Sequence, residues 1–188
     1  GSPSCVINDN VPYFAADELI IDVFAEYSPL DRLGRCGVAC AVVSIETMPS
    51  DPRGQIGMIK PSGWHTVRYD DLISDRYLYN RCHLIGYQLT GQNSNSCNLI
   101  TGTRYLNTEG MLPIENFVAN FIEETENSVL YRVTPLFNGD DLLAYGAQME
   151  AESIEDGGSG LMFNVFCYNV QPGIEINYAT GESHRKDE

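Results

Sequence analysis

A single amphipathic helix in a chain of otherwise short apolar segments is the feature that most limits the fold. Over residues 113–125 the apolar side chains repeat at i, i+3, i+4 and i+7, the pattern of a helix that buries one face. They are Ile114, Phe117, Val118, Phe121 and Ile122. Pro113 suits the first turn, because an N–H there would have no partner within the helix. We therefore predict one strong helix at 113–125.

The remaining apolar segments are short and rich in β-branched residues, which is typical of strands. They lie at 19–23, 37–46, 56–59, 129–134, 144–151, 161–169 and 174–178. Turn dipeptides at Asn138-Gly139 and Gly157-Gly158 separate the later segments, so we predict a C-terminal antiparallel meander. Because strands dominate and helices are few, the predicted fold class is α+β with a central antiparallel sheet.

The chain length of 188 residues predicts one domain over 1–188, which is enough to bury a sizeable core. No run of about 18 apolar residues is present, so we expect no membrane-spanning helix. Acidic residues interrupt the first apolar stretch, so we expect no intact signal peptide. The first two residues, Gly1-Ser2, are typical of a tag remnant, and an export signal removed earlier is compatible with this. We expect 183–188 to be a flexible tail.

The net charge of −15 argues against a nucleic-acid partner, since proteins of that kind usually carry a basic patch. The distribution of charge weakens this objection. Residues 32–132 hold nine basic residues against ten acids, and no acid lies between Arg76 and Thr108, where Arg81 and Arg104 occur. One window is therefore locally positive in an acidic chain. We expect slow, salt-sensitive capture of a polyanion.

The same window contains the candidate catalytic residues His83, Asn98 and Asn107, and Glu115 follows in the predicted helix. Phosphodiester hydrolysis needs a base, and histidine is suitable because its reference pKa of about 6.5 lies near working pH. It also needs a hard cation such as Mg²⁺, which takes one or two protein oxygen ligands and keeps its other waters. Cationic donors must hold the phosphate oxygens. These residue types together indicate a site for phosphate-ester chemistry.

These residues and their spacing resemble the DNA/RNA non-specific endonuclease family of the ββα-metal superfamily, in particular its Gram-positive secreted and DNA-entry nucleases. The family signature Asp-Arg-Gly-His reads Asn-Arg-Cys-His at 80–83. Asn98 and Asn107 match an Asn-x8-Asn pair, and Glu115 completes an Asn-x7-Glu step. The resemblance continues at 131–135 and 169–173, and it extends over residues 25–182.

The resemblance implies a ββα-metal nuclease motif within the α+β fold, and a metal-dependent endonuclease that cuts without reading sequence. His83 would be the general base that activates water. Asn107 would be the direct protein ligand of a single hydrated Mg²⁺, which Mn²⁺ can replace, and Glu115 would orient water on that ion. The substrate would be DNA, with RNA as a further candidate, held through its phosphate backbone.

The resemblance also implies supporting roles. Asn98 would hold the His83 region or its loop in place. Arg81 and Arg104 would contact phosphate, and Arg81 would also belong to the catalytic residues. The products would carry 5′-phosphate and 3′-hydroxyl ends. The protein would be secreted or at the cell surface of a bacterium, with no membrane partner.

Two features depart from the family pattern. Asn80 replaces the signature Asp. If the Asp only supports the motif by hydrogen bonding, Asn80 can do the same, but if it tunes the charge on the metal site, we expect lower activity. Pro113 lies between Asn107 and Glu115, which an uninterrupted helix would separate by roughly 12 Å of rise. We expect Pro113 to kink or restart the helix, so that the two residues can converge.

The cysteines permit disulfides without requiring them. They are Cys5, Cys36, Cys40, Cys82, Cys97 and Cys167. Cys36 and Cys40 have a C-x3-C spacing, but no second closely spaced Cys or His pair completes a zinc site. We favour buried thiols or one or two disulfides. Cys82, which replaces the signature Gly, would either pair with Cys97 across a hairpin or pack in the interior.

Two other functions remain open from the sequence. An acidic surface and the departure at Asn80 are compatible with a secreted binding module that keeps the nuclease fold with little turnover. A nuclease toxin with an immunity partner is a further alternative. We expect His65 to be a surface or structural residue and His184 to belong to the tail. No spacing links Arg53 or Trp64 to the site.

Overall fold

The computed structural model describes residues 1–187, and a six-stranded antiparallel sheet is its main element. The strands in chain order are β1 (Ser4–Val6), β2 (Ala25–Tyr27), β3 (Ala39–Val43), β4 (Tyr79–His83), β5 (Leu99–Thr103), β6 (Val129–Leu136), β7 (Gly146–Ser153), β8 (Met162–Tyr168), β9 (Ile174–Ile176) and β10 (Ser183–Arg185). The main sheet has the order β1-β8-β7-β6-β3-β2. Strands β4 and β5 form a separate antiparallel pair, as do β9 and β10.

The helices are few, and one of them is long. They are α1 (Tyr87–Thr90) and α2 (Leu112–Thr125), with a π-helical segment at Leu106–Met111 directly before α2. Short 3₁₀ turns lie at Asn8–Asn10, Ala16–Glu18, Ile45–Thr47 and Ser96–Asn98. The helix predicted at 113–125 is confirmed, and Pro113 lies in its first turn, where no N–H is required. No helix within residues 1–187 combines the length and the apolar character that a membrane crossing requires.

The predicted C-terminal meander is formed by β6, β7 and β8, which pair in chain order. The turn glycines Gly139, Gly157 and Gly158 all have positive φ, as tight connections between such strands often require. The apolar face of the sheet packs against the buried side of α2, which is formed by Val118, Ala119 and Ile122. The predicted α+β class with a central antiparallel sheet is confirmed.

Two predicted strands are wrong, and a third has a different partner. Residues 19–23 form no strand: pairing with β3 begins only at Phe24, whose carbonyl accepts from Val42 N–H at 3.0 Å. Residues 56–59 form a turn closed by Ile59 N–H and the Ile56 carbonyl. In both cases apolar composition suggested a strand, but a strand also needs a neighbour for its backbone groups.

The third segment, predicted at 174–178, forms β9 and pairs with β10 rather than with the meander. Strand β10 covers Ser183–Arg185, so the expectation of a flexible tail from residue 183 is not met there. Residue 188 of that predicted tail lies outside the described residues. The small β9–β10 sheet packs around Ile174 on a second apolar cluster that contains Leu78, Tyr79 and Leu143.

All six cysteines are free thiols, so the alternative of buried thiols applies rather than disulfides. Cys36, Cys82 and Cys167 are buried. The Cys36 thiol donates to the carbonyl of Leu99 at 3.1 Å, and Cys82 packs in the main core without a bond to Cys97. No group of three or more His, Cys, Asp or Glu side chains able to hold a metal occurs within 1–187.

The buried amide of Asn169 joins the β4–β5 pair to the rest of the molecule. Its Oδ1 accepts from Thr103 N–H at 2.9 Å. Its Nδ2 donates to the carbonyls of Thr101, at 3.2 Å, and Ala144, at 2.9 Å. One fully buried side chain thus satisfies three backbone groups that have no other sheet partner there.

Asn169→Ala should lower the free energy of unfolding by about 3 kcal/mol, because it leaves buried backbone groups without partners. Urea denaturation monitored by circular dichroism measures this. Asn120→Ala, on the exposed side of α2, is the matched control and should change stability by less than about 0.5 kcal/mol. Equal effects of the two substitutions would contradict the role of Asn169.

Candidate active site

A cleft of about 550 Å³ opens where the β4–β5 pair meets the helical segment that follows it. Strand β5 leads directly into the π-helical segment and α2, so two strands and one helix surround the cleft. The lining residues are Arg53, Arg81, His83, Gly86, Tyr87, Gln88, Arg104, Asn107, Thr108, Leu112, Glu115 and Asn116. Five of the six residues predicted for the site therefore line one cleft, and the sixth, Asn98, lies behind it.

His83 ends β4 and is only 6% exposed. Its Nε2 lies 2.9 Å from the carbonyl oxygen of Asn93. Because a carbonyl can only accept, this contact assigns the ring proton to Nε2 and leaves Nδ1 with a free lone pair. Burial lowers the pKa of His83 below its ordinary value, and the charge of Arg53 lowers it further, against the opposing effect of the Asn93 and Gln92 carbonyls. The ring is thus a neutral proton acceptor.

Asn98 lies behind His83 and is fully buried. Its Oδ1 accepts from Ile85 N–H and its Nδ2 donates to the Ile85 carbonyl, both at 2.9 Å. The Asn98 carbonyl also accepts from Leu84 N–H at 2.9 Å. These three bonds continue the β4–β5 ladder past His83. They hold the chain where it turns from β4 towards α1.

Asn107 lies on the π-helical segment, and its amide orientation is set by Asn80. Its Nδ2 donates to Asn80 Oδ1 at 3.1 Å, across from β4. With Nδ2 used in this way, Asn107 Oδ1 is the remaining acceptor, and the Cys82 thiol contacts it at 3.5 Å. The Asn that replaces the family Asp at position 80 therefore keeps the one property this contact needs, an oxygen acceptor.

The second departure from the family signature, Cys82, is accommodated by Gly102 on the facing strand. A Cβ at Gly102 would lie 2.8 Å from Cys82 Cβ, so the absence of a side chain on β5 makes room for the thiol. Sγ then packs 3.6 Å from Met111 Sδ. Burial raises the pKa of the Cys82 thiol, which is therefore a neutral packing group beside the site.

Glu115 on α2 is buried, and its carboxylate lies against the backbone of Gly86. A Cβ at Gly86 would collide with that carboxylate, so a larger residue there would displace the Glu115 side chain from its position. Burial raises the pKa of Glu115 to about 8, despite the lowering effects of Arg53 and of a hydrogen bond with Gln88. A carboxyl group in such an environment gains strongly from a nearby cation.

The two arginines predicted to bind phosphate are both engaged with protein groups. The guanidinium of Arg81 stacks on Trp64, 4.0 Å from the ring centroid. It also donates through Nε to the Ile59 carbonyl and through Nη2 to the Gly57 carbonyl, the latter at 2.9 Å. Arg104 forms an ion pair with Asp75 at 2.9 Å. Both still line the cleft.

Arg53 is the cation that sequence reasoning missed. Among the arginines lining the cleft, it alone has no hydrogen bond or ion pair with another part of the described chain. Its charge lowers the pKa of both His83 and Glu115, so it acts on both candidate groups. The Asp51 and Pro52 carbonyls before it accept from the Tyr87 hydroxyl at 2.6 and 3.2 Å. A loop contact between residues more than thirty positions apart brings Arg53 to the site, so no local spacing indicated it.

The other histidines lie away from the cleft. His65 Nε2 is 2.9 Å from the Thr180 carbonyl on the protein surface. His184 lies on β10, with Nε2 3.3 Å from Glu175. Trp64, in contrast, contacts the site through Arg81, which the sequence did not indicate.

The donor set fits a hydrated hard cation better than a multidentate cage. Among the described residues no cluster of His, Cys, Asp and Glu could surround a metal. Instead, the cleft offers the oriented amide oxygen of Asn107 and the carboxylate of Glu115. Mg²⁺ prefers oxygen ligands and keeps several waters when it binds protein. The residues present are therefore compatible with such an ion.

Comparison with known proteins agrees with this geometry. A model of the DNA/RNA non-specific endonuclease family matches residues 18–155. The structure is similar to NucA from Streptococcus agalactiae without metal, at 28% identity and a TM-score of 0.84 over 96% of this chain and 86% of that one. The magnesium-bound structure of NucA gives 27% identity and a TM-score of 0.83 over the same shares.

A third similar structure is the Sda1 nuclease with a bound zinc ion. It is 26% identical, with a TM-score of 0.75 over 87% of this chain and 82% of that one. Each of these comparisons covers most of both chains, and the family match alone extends over more than half of the sequence. This protein is therefore a nuclease and belongs to the DNA/RNA non-specific endonuclease family.

Proposed function

We propose that this nuclease hydrolyses phosphodiester bonds of DNA, and also of RNA, without reading sequence, with His83 as the general base. The observation that carries the proposal is the buried, neutral His83 ring with a free Nδ1, in one cleft with Asn107 and Glu115. A neutral imidazole can take a proton from water at neutral pH. The Asn93 carbonyl keeps the other ring nitrogen protonated and stabilises the imidazolium that forms.

The metal that we propose is a single Mg²⁺ on Asn107 Oδ1, with Mn²⁺ as a substitute. The magnesium-bound structure of NucA supports a divalent ion of this kind, while the zinc-bound Sda1 nuclease leaves the choice among divalent ions to experiment. When bound, the ion neutralises charge on the phosphate and on the leaving oxygen. Asn80 fixes the amide of Asn107, and the carboxylate of Glu115 accepts hydrogen bonds from water in the cleft.

Arg53 is the main phosphate contact in this proposal. Its guanidinium faces the cleft without a protein partner among the described residues, so its donors are available to non-bridging oxygens. Arg81 and Arg104 line the same cleft and contribute their remaining N–H donors, but their positions are held by Trp64 and Asp75. Contacts to phosphate carry no sequence information, so cleavage without sequence preference follows.

Three expectations rest on the family resemblance alone and stay predictions. They are products with 5′-phosphate and 3′-hydroxyl ends, release of the protein from a bacterial cell, and the absence of a membrane partner. End-labelling of the cleaved strands tests the first. Fractionation of the producing cells tests the other two.

His83→Ala should slow Mg²⁺-dependent plasmid cleavage by about 100- to 10,000-fold, which is the usual contribution of a general base. His184→Ala changes an exposed histidine on β10 and should cleave at the wild-type rate. EDTA should stop both proteins. Cleavage that survives either EDTA or His83→Ala would contradict the mechanism, and no cleavage with any divalent ion would favour the binding module.

The pH profile should show the lowered pKa of His83. The base is active when neutral, so kcat/KM should fall only as the pH drops below about 6.5, the ordinary histidine value. Removing the positive neighbour in Arg53→Ala should raise the pKa of His83 and move this acid limb to higher pH, whatever the loss in rate. Arg32→Ala, which changes an exposed ion pair with Asp140, should leave the limb in place. An unmoved limb in Arg53→Ala would refute the coupling.

The metal site should respond to Asn80 through Asn107. We expect Asn107→Ala to abolish Mg²⁺-dependent cleavage, and Asn80→Ala to raise the half-saturating Mg²⁺ concentration by about 10- to 100-fold, as loss of an orienting partner does. Asn80→Asp keeps the acceptor and should remain close to wild type. Metal titrations of cleavage rate, with Asn120→Ala as control, measure this. Wild-type Mg²⁺ dependence in Asn80→Ala would show that Asn107 needs no orientation from Asn80.

A further inference from the structure

We propose that a second cleft, next to the catalytic one, binds one unpaired base of the substrate strand. This inference rests on the proposed nuclease function. The cleft has a volume of about 430 Å³ and lies at the beginning of β4. Three aromatic rings line it, from Trp64, Tyr77 and Tyr79, together with Asp75 and Arg81. We call it the aromatic cleft.

Tyr77 and the face of Trp64 away from Arg81 are the accessible ring surfaces of the aromatic cleft, because Tyr79 is only 3% exposed. Trp64 Nε1–H donates to the Thr66 hydroxyl at 3.2 Å, and the Tyr79 hydroxyl donates to the Gly181 carbonyl at 2.7 Å. These groups are therefore already satisfied within the protein. Tyr77 is 44% exposed, and the Arg68 guanidinium lies 5.6 Å from the centroid of its ring. Such rings stack on any base, which suits an enzyme that does not read sequence.

The aromatic cleft is continuous with the catalytic one through Arg81, which lines both. Strand β4 contributes to both clefts: Tyr79 lines the aromatic cleft and His83 lines the catalytic cleft. At about 3.3 Å per residue, Arg81 and His83 are separated by roughly 7 Å along the strand. A base in the aromatic cleft therefore belongs to a nucleotide close to the scissile phosphate.

Asp75 adds a hydrogen-bond acceptor to the stacking surface. Its Oδ2 is paired with Arg104 at 2.9 Å, while its Oδ1 is buried and has no hydrogen-bond partner among the described residues. A buried acceptor without a donor is costly, so a donor arriving from the cleft would be favoured. Every unpaired base carries such a donor on its pairing edge: adenine, cytosine and guanine have amino groups, and thymine has its N3–H. The Asp75 carboxylate can therefore accept from whichever base occupies the aromatic cleft.

A base inside a duplex cannot reach these rings, because it is paired and stacked. Unpaired bases need no such disruption, so single strands, loops and frayed ends are the favoured substrates of this subsite. Duplex cleavage would use the catalytic cleft alone. We therefore predict that single strands bind more tightly than duplex. Cleavage of duplex should not depend on the aromatic cleft.

The experiment uses Trp64, the only tryptophan of the chain, as a direct reporter. Short oligonucleotides d(AAAA), d(CCCC) and d(TTTT) and a blunt duplex are titrated in EDTA, so that no strand is cut. We expect saturable quenching of tryptophan fluorescence by all three single strands, and at least several-fold weaker quenching by the duplex. No quenching by any single strand, or equal quenching by the duplex, would overturn the proposal.

Tyr77→Ala removes the exposed ring and should weaken single-strand binding by about tenfold or more, as loss of a stacking partner does. Tyr77→Phe keeps the ring and should restore binding. Tyr13→Ala, at an exposed tyrosine outside the aromatic cleft, is the matched control and should bind as wild type does. Unchanged binding in Tyr77→Ala would refute the stacking role.

All three variants should cut duplex plasmid with Mg²⁺ at the wild-type rate. This readout separates the two hypotheses, because failure of the base subsite would leave plasmid cleavage and its dependence on His83 intact. Loss of that dependence would instead count against the proposed function. A lowered rate of duplex cleavage in Tyr77→Ala alone would contradict the separation of the two clefts.

Discussion

The active site depends on two buried asparagine amides that hold a strand pair with no other sheet neighbours. Strands β4 and β5 pair only with each other. Asn98 extends their hydrogen bonding past His83 through Ile85, and Asn169 anchors Thr103 at the opposite end of the pair. Both side chains are fully buried, so their polar groups must be satisfied and their geometry is well determined. The positions of His83 and of the helix that follows β5 are set by these bonds.

The chemistry of the cleft follows from burial in a region with few opposing charges. Burial keeps His83 neutral and raises the pKa of Glu115 to about 8. Arg53 is the cation whose charge lowers the pKa of both groups, while Gly86 gives the Glu115 carboxylate room beside the backbone. Within residues 1–187, neither the Arg53 guanidinium nor the Glu115 carboxylate has an oppositely charged partner at hydrogen-bond distance. A phosphate and a divalent ion would complete the charge balance of the cleft, which is what phosphodiester hydrolysis requires.

The acidic composition is compatible with a polyanionic substrate because arginines outside the cleft are neutralised by aspartates, whereas Arg53 in the cleft is not, in the part of the chain that the structure describes. Several surface arginines pair with aspartates. They include Arg32 with Asp140, Arg35 with Asp31, and Arg68 with Asp70. These pairs cancel positive charge outside the cleft. With a net charge of −15, most of the surface repels nucleic acid. Local attraction is concentrated where Arg53 faces the catalytic groups, and binding there is expected to be sensitive to salt.

The sequence by itself determined the class of fold, the long helix and the candidate residues of the site. Helical periodicity and the spacing of His83, Asn107 and Glu115 are properties of a short stretch of chain, so they can be read without knowing what packs against it. Only the tertiary structure decided which arginine of the cleft has no hydrogen-bond or ion-pair partner among the described residues. The carbonyl partners of Arg81 lie 22 and 24 residues away in sequence, and Arg53 reaches the cleft through a loop. The incorrect strands at 19–23 and 56–59 have the same cause, since hydrogen-bond partners come from distant segments that local composition does not specify.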